Sequence, residues 1–292
     1  MDAAIEQVES VRSFNRYYTR RLGILTDRYL GQGRPLAEAR LLFEIGDRAD
    51  VRELRARLGL DSGYLSRLLR ALEQQHLVRT VTHPADRRVR VAELTDAGRR
   101  ERAELDARSR AGIGELLAPL TAGQREELLA AQDRVRHLLR LAAITVRADD
   151  AGSVDGRRCL HAYATELAAR FPQGYDDAAL TPPAELTGDE GALLVAYEED
   201  RPVGCGAWRR LGPEVAEIRH LWVAGEARGL GLGRRLLESL ESAAAAHGMT
   251  TVRLGTHGVL REAIALYRSA GYREIKPYDR SPYNQLAFEK RR

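Results

Sequence analysis

The sequence predicts two domains, a mainly α unit built on a helix-turn-helix followed by an α/β unit. Three observations carry that prediction. At 292 residues the chain is long enough for two cores of ordinary size. In its first half, apolar residues recur every three or four positions, the helical period, in segments separated by glycine and proline. In its second half, runs of strand formers alternate with helical runs, and one strand leads through Gly229, Gly231 and Gly233 into a helix.

Composition bounds the function classes. Hydrophobic residues at 44% and charged residues at 30% describe a soluble globular chain. No apolar run approaches the ~20 residues that cross a bilayer, so no membrane partner is expected. The N-terminal stretch M-D-A-A-I-E-Q-V-E-S lacks the basic-then-apolar order of a signal peptide. With only Cys159 and Cys205, neither a disulfide framework nor a cysteine zinc site is expected. No metal is predicted, and the expected compartment is a reducing cytoplasm. The net charge of +4 is mild, so any case for nucleic acid rests on where the arginines cluster.

Taken in order, residues 3–30 predict one long helix. Ile5, Val8, Val11, Phe14, Tyr18, Leu22, Leu25 and Tyr29 share a face, and Gly31, Gly33 and Pro35 end it. A short helix follows over Leu36–Ile45. Asp50 is placed to cap a third, with Val51, Leu54 and Leu58 inward and Gly59 at its end. Asp61 or Ser62 caps a fourth, whose buried stripe is Leu65, Leu68, Leu69 and Leu72. The short turn between these two helices makes the helix-turn-helix pattern. Leu77–Val81 and Val89–Leu94 predict a hairpin with a basic tip at residues 83–88. Thr95-Asp96-Ala97-Gly98 opens a long helix, interrupted near Pro119 and Thr121, and a further helix runs to about Leu141.

The stretches L-S-R-L-L-R-A-L-E-Q-Q-H-L-V (Leu65–Val78), P-A-D-R-R (Pro84–Arg88) and L-T-D-A-G-R (Leu94–Arg99) resemble the MarR family of winged-helix regulators. Alone, Arg67 and Arg70 on a polar helix face read as solvated charges. A basic hairpin in the wing position changes that balance. A recognition helix reads base edges in the major groove, and a wing arginine enters the minor groove. The resemblance therefore implies double-stranded DNA as a partner. Ser62, Tyr64, Ser66, Arg67 and Arg70 are the expected contacts of the helix. In the wing they are Arg87 and Arg88, with Asp86 orienting the loop. It also implies a homodimer formed through the first and last helices, and so a near-palindromic operator.

Thr145–Gly156, rich in Ala, Asp, Gly and Ser, reads as a linker. The expected domains are residues 1–145, a linker over 146–156, and residues 157–292. The second opens with a helix over Leu160–Phe171 and a proline-rich connection, Pro172–Gly188, expected to border the substrate pocket. Strands follow over Leu193–Tyr197, Val203–Leu211 and Val215–Val223, then a helix over Arg234–His247 and a strand over Thr251–Leu254. A helix over Glu262–Ala270 and strands over Tyr272–Ile275 and Gln285–Glu289 complete it.

The loop E-I-R-H-L-W-V-A-G-E-A-R-G-L-G-L-G organises this half. Its glycines let the backbone approach a ligand, and the helix that follows begins with unpaired N–H groups and a positive dipole end. Arg228 adds a charge for the same anion. A dinucleotide fingerprint fits poorly, because the glycines alternate. R-x-x-G-x-G at Arg228, Gly231 and Gly233, with A-L-Y-R-S-A-G-Y (Ala265–Tyr272) downstream, resembles the GNAT N-acetyltransferases. That resemblance implies an α/β acyl-CoA N-acyltransferase fold with a mixed sheet and acetyl-CoA as co-substrate. An amine acceptor is implied as well, a small molecule or a lysine.

The cradle implied for the cofactor is Arg228, Gly229, Leu230, Gly231, Leu232, Gly233 and Arg234. Leu221, Trp222 and Val223 would offer backbone groups to the pantetheine arm. Tyr267 matches the family's general-acid tyrosine, a phenol able to protonate a departing thiolate; its alternative is a core aromatic. Glu217 reads either as the base, working through water, or as a binder of the substrate ammonium. Strand alternation sets His220 off the face of Glu217 and Arg219, which makes it structural. His257 stands where related enzymes carry an asparagine that touches the cofactor. In the tail, Gln285, Leu286 and Ala287 replace histidines and a tryptophan of a GNAT subgroup, while Tyr278 and Tyr283 are expected in the acceptor pocket. Two other readings stay open: a regulator whose second domain only senses acetyl-CoA or an amine, and an enzyme whose winged helix only dimerises.

Overall fold

The computed structural model describes residues 2–23, 34–83 and 86–291, with the side chains of residues 2, 3, 87 and 88 outside that description. The chain divides into two units, Met1–Arg125 and Glu126–Arg292.

In the first unit, α1 (Asp2–Arg21) carries the expected apolar row, and Ile5, Val8, Val11 and Phe14 along it are each more than half exposed. The helix stops at Arg21, short of the predicted end, and Gly23 turns with φ +66°. Leu25, Tyr29, Gly31 and Gly33 lie outside the described residues. Next come α2 (Leu36–Ile45), β1 (Arg48–Asp50) and α3 (Val51–Leu58). Asp50 caps α3 by accepting from the Arg52 and Glu53 N–H groups at 2.6 and 3.4 Å. Gly59 ends it in the left-handed region, φ +62°. In α4 (Ser62–Gln74), Asp61 accepts from the Tyr64 N–H at 2.8 Å, and the predicted leucine stripe is buried.

The hairpin is β2 (Val78–His83) and β3 (Asp86–Leu94), with β1 added on the far side of β3. Such a three-residue strand carries too little pattern to be seen in sequence. Thr95 caps α5 (Asp96–Leu117) by accepting from the Gly98 N–H at 3.0 Å. Gly98 is required by packing: a Cβ there would meet the Leu77 carbonyl oxygen at 2.0 Å. The helices close on Leu41, Leu42, Leu54, Leu65, Leu72 and Leu105.

Thr121 and Gln124 form a reciprocal box, each side chain accepting from the other's N–H at 3.3 and 3.0 Å, and open α6 (Ala122–Ala143). Leu129, Val135, Leu138 and Leu139 on it are exposed. From Glu126 onward α6 belongs to the second unit, within which Arg140 pairs with Glu198 at 2.7 Å and Ile144 is fully buried.

The expected linker is a correction. Thr145–Asp149 forms β4, which pairs antiparallel with β5 from Thr145↔Tyr197 to Asp149↔Leu193. α7 (Val154–Arg170) begins within the same stretch, capped by Ser153. Polar composition suggested a connection, but β4 is an edge strand, which needs one paired side and leaves its side chains partly in solvent. The remaining elements are β5 (Gly191–Glu198), β6 (Arg201–Gly212), β7 (Val215–Val223), α8 (Leu232–Ala246), β8 (Thr251–Thr256), α9 (Arg261–Ser269), β9 (Arg273–Ile275) and β10 (Leu286–Arg291).

The sheet is mixed, in the order β4-β5-β6-β7-β8-β10-β9, and its one described parallel pair is β7 with β8. Pairing there runs only from Val215↔Thr251 to Ile218↔Leu254. Beyond it the strands part, so the segment Arg219–Val223 has no β8 partner. One face packs Trp208, Ile218, Leu237, Leu240 and Phe288; the other packs Cys159, Leu160, Leu193, Val195 and Cys205.

Candidate functional site

A cavity of about 480 Å³ opens where β7 and β8 part, bordered by α7, the phosphate-type loop, α9 and the segment 281–284. Its walls include Glu217, Leu221, Trp222, Val223, Arg228, Gly229, Gly231, Leu232, Gly233, Arg234, His257, Tyr267 and Tyr283. Two expected residues are not on those walls. Leu230 is 5% exposed and packs with Ile144, Ala227 and Leu232. Tyr278 lies behind the wall, its hydroxyl donating to Glu217 Oε1 at 2.8 Å.

The loop earns its glycines. Gly229 and Gly231 take φ of +75° and +90°, conformations that side chains disfavour. The first of these N–H groups to find a helical acceptor is that of Arg235, bonded to the Gly231 carbonyl at 3.2 Å. The preceding amides therefore form the open end of a helix. Arg228 Nε donates to the Val223 carbonyl at 3.0 Å, and its guanidinium pairs with Glu166 of α7. Trp222 Nε1 donates to that carboxylate at 2.9 Å. Arg170, one turn on, pairs with Glu262 and Glu166. The bond from Arg170 holds the Glu262 carboxyl below the usual range. The Arg234 side chain bonds Ser269 Oγ at 2.6 Å, so what it offers the loop is its backbone. This set fits a diphosphate: open amides, a guanidinium, and nearby carboxylates each already paired.

Deeper in, Glu217 is 2% exposed, with Arg209 Nε donating to its Oε2 at 2.7 Å and Tyr278 to its Oε1. Burial, and then the Glu217 charge, push the Tyr278 phenol well up. Tyr267 is buried beside Phe288 and Tyr272, and burial raises its phenol well above the ordinary value. Its hydroxyl has no hydrogen-bond partner among the described residues. His257 stacks on Phe171 at 4.5 Å; its Nδ1 accepts from the Val259 N–H at 3.2 Å and its buried Nε2 has no partner among the described residues.

His220 is where alternation misled. Cys205 faces Trp222 while Ala207 faces Arg219, so β7 holds one extra residue there, and His220 takes φ +55°. The bulge resets the side-chain phase. His220 consequently lines the same cavity as Glu217 and Arg219, its Nε2 accepting from the Thr181 N–H at 3.1 Å and its ring against Tyr163 at 5.1 Å. Burial, helped by the Arg219 and Arg209 charges, lowers it to about 3.

Sequence reasoning placed the connection after α7 beside the pocket, and Tyr175 there lines the cavity, but it named none of the α7 residues Tyr163, Glu166 and Arg170, nor Phe171, which line it as well. The signal was available, since Tyr163, Glu166 and Arg170 recur at helical spacing on a helix that buries Cys159, Leu160, Ala164 and Leu167.

In the first unit, Ser62, Arg67 and Arg70 are exposed on α4, and Tyr64 and Ser66 are half-buried. Ser66 Oγ donates to the Ser62 carbonyl at 2.7 Å, and the Arg67 guanidinium lies 5.5 Å from the Tyr64 ring centroid. Among the described residues neither Arg67 nor Arg70 has a carboxylate partner, so the α4 face keeps its charge. Asp86 is exposed at the start of β3, and the side chains of Arg87 and Arg88 lie outside the described residues.

Comparison with known proteins bears on both units. The profile of the acetyltransferase (GNAT) family matches residues 159–272, and that of the MarR family matches residues 32–89. A Schizosaccharomyces pombe protein described as an uncharacterized N-acetyltransferase is 30% identical over 118 residues, 40% of this chain and 72% of its own length. An IAA acetyltransferase of Azospirillum brasilense is 38% identical over 93 residues, 31% of this chain and 59% of the relative. Among solved structures, a phosphinothricin acetyltransferase from Sinorhizobium meliloti in complex with AcCoA is 19% identical. It matches 51% of this chain and 88% of its own, with a TM-score of 0.40.

Proposed function

This chain belongs to the GNAT acetyltransferase family and carries a MarR-family region ahead of that domain; from that premise we propose that it is a dimeric regulator that binds a near-palindromic DNA operator and also transfers acetyl from acetyl-CoA to an amine. The observation that carries the catalytic half is the meeting of Tyr267, Glu217 and the loop Arg228–Arg234 around one cavity.

Acetyl-CoA, when bound, supplies an acyl thioester. The residues of this chain do the rest. Arg228 and the loop amides hold the diphosphate, and the segment Leu221–Val223, paired with β6 but not with β8, offers backbone groups to the pantetheine arm. His257 Nε2 is a further donor toward the cofactor, in the role expected of an asparagine. The amine nitrogen forms its bond to the acyl carbon, the carbon–sulfur bond breaks, and Tyr267 gives its proton to the sulfur. The proton lost by the amine passes through water to Glu217. Both Glu217 oxygens already accept one hydrogen bond, but a carboxylate has about four acceptor positions.

In the DNA-binding half, Ser62, Tyr64, Ser66, Arg67 and Arg70 contact the major groove or phosphates, and Arg88 is the wing arginine for the minor groove, with Arg87 a further DNA contact and Asp86 orienting the turn. The exposed apolar rows of α1 and α6 support a dimer, since rows of this size are covered in stable proteins.

A second reading is a regulator whose acetyltransferase domain binds acetyl-CoA or an amine without turnover. The clamping of Glu217 by Arg209 and Tyr278 favours it. Acceptor-dependent release of thiol from acetyl-CoA separates the two: turnover supports the enzyme, and bound acetyl-CoA without turnover supports the sensor.

A further inference from the structure

We infer that the amine taken by this cavity also bears a carboxylate on a small planar or aromatic body. This rests on the acetyl-transfer reading above and narrows its substrate class.

The acceptor end of the cavity is walled by rings. Tyr163 meets Tyr175 edge-on at 5.7 Å, Tyr175 lies 4.7 Å from Tyr283, and Phe171 stacks 5.8 Å from Tyr283. All four line the cavity. Ring walls of this kind favour a flat apolar partner, which meets them by offset stacking or edge contact.

Besides Glu217, β7 brings two donors to the cavity, Arg219 and His220. Arg219 is half-buried, gives one bond to the Ala179 carbonyl at 2.9 Å, and has no carboxylate partner among the described residues. A guanidinium has five N–H donors, so most remain for a ligand. His220 is 3% exposed; its Nε2 accepts from the Thr181 N–H at 3.1 Å and lies 2.8 Å from Thr181 Oγ1, a hydroxyl able to donate to it, which leaves the ring proton on Nδ1, without a partner among the described residues. Both side chains contact the loop at 179–181, and the bulge at His220 is what lets consecutive residues do so.

A cation beside a neutral N–H donor complements an acceptor-only anion, and a carboxylate matches the guanidinium fork. Among the described residues no free carboxylate of the cavity cancels Arg219, since Glu217 is held by Arg209, Glu166 by Arg228 and Glu262 by Arg170. Rings alone would equally suit an organic cation, but such a ligand would meet the Arg219 charge.

Calorimetry on the full chain tests this with matched pairs: phenylalanine and phenethylamine, tryptophan and tryptamine, 2-aminobenzoate and aniline. The carboxylate member of at least one pair should bind at least about tenfold tighter, about one charge-assisted bond, and Arg219→Gln should erase the difference. Leucine should bind more weakly than the preferred aromatic acid. Equal affinities within every pair, preference for the decarboxylated amines, or no binding by any member would overturn the inference, and none of these needs the variant to fold. A carboxylate preference without thiol release would instead fail the acetyl-transfer reading and leave this one standing.

Discussion

Arg228 of the phosphate-type loop is ion-paired with Glu166 of α7, and the same carboxylate oxygen accepts from Trp222 Nε1 at 2.9 Å. The residue expected to meet an anion is thus held by an internal one. A diphosphate must compete with Glu166 for that guanidinium. Glu166→Gln removes the competing charge and should tighten acetyl-CoA binding several-fold. Arg228→Gln should weaken it by about tenfold or more, as loss of a charge-assisted contact. Calorimetric titration of both variants checks the opposite signs.

Tyr267 is placed to donate a proton and to do little else in binding. Tyr267→Phe keeps the ring against Phe288 and Tyr272, so kcat should fall by about a hundredfold with little change in KM. Burial raises the phenol, so its deprotonation should not limit the rate until the pH exceeds the ordinary tyrosine value of about 10. A pH profile of kcat for the wild type reads this directly.

His220 should stay neutral across the physiological range. Its folded value is lowered to about 3 from 6.5, so the neutral ring's contribution to stability is whole above pH 6.5 and is lost as the pH falls towards 3. Its ring resonances should not shift between about pH 8 and 5, a range an ordinary histidine titrates through. Acid unfolding of His220→Asn should be less steep than that of the wild type over the same window.

How far the sequence was legible depended on whether a feature was local. The caps at Asp50, Asp61 and Thr95 and the buried stripe of α4 could be read because each is a relation between residues a few positions apart. The strand–loop–helix around Arg228 was readable for the same reason. β4 was lost because an edge strand of Thr145-Val146-Arg147-Ala148-Asp149 has no pattern apart from its partner β5. The bulge at His220 is set by pairing with β6, fifteen residues away at Cys205, and only the fold reveals it. The ring wall joins Tyr163 to Tyr283 across more than a hundred positions, so neither half announced the other.

On the DNA side, Arg67 is exposed on α4 without an acidic partner among the described residues. Arg67→Ala should weaken binding to a specific operator by roughly 1–3 kcal/mol if it reads a base edge. If it contacts phosphate, the loss should be similar on all sequences, with a shallower salt dependence. Mobility shifts at two salt concentrations, on operator and random duplex, tell these apart.

On the proposed function the second domain turns over. The most direct test of this is thiol release from acetyl-CoA by the full chain across a panel of small amines and lysine peptides, with Tyr267→Phe alongside. Acceptor-dependent release is expected with at least one amine, reduced about a hundredfold in the variant. Acetyl-CoA bound with no release for any acceptor, or release unchanged by Tyr267→Phe, would contradict it.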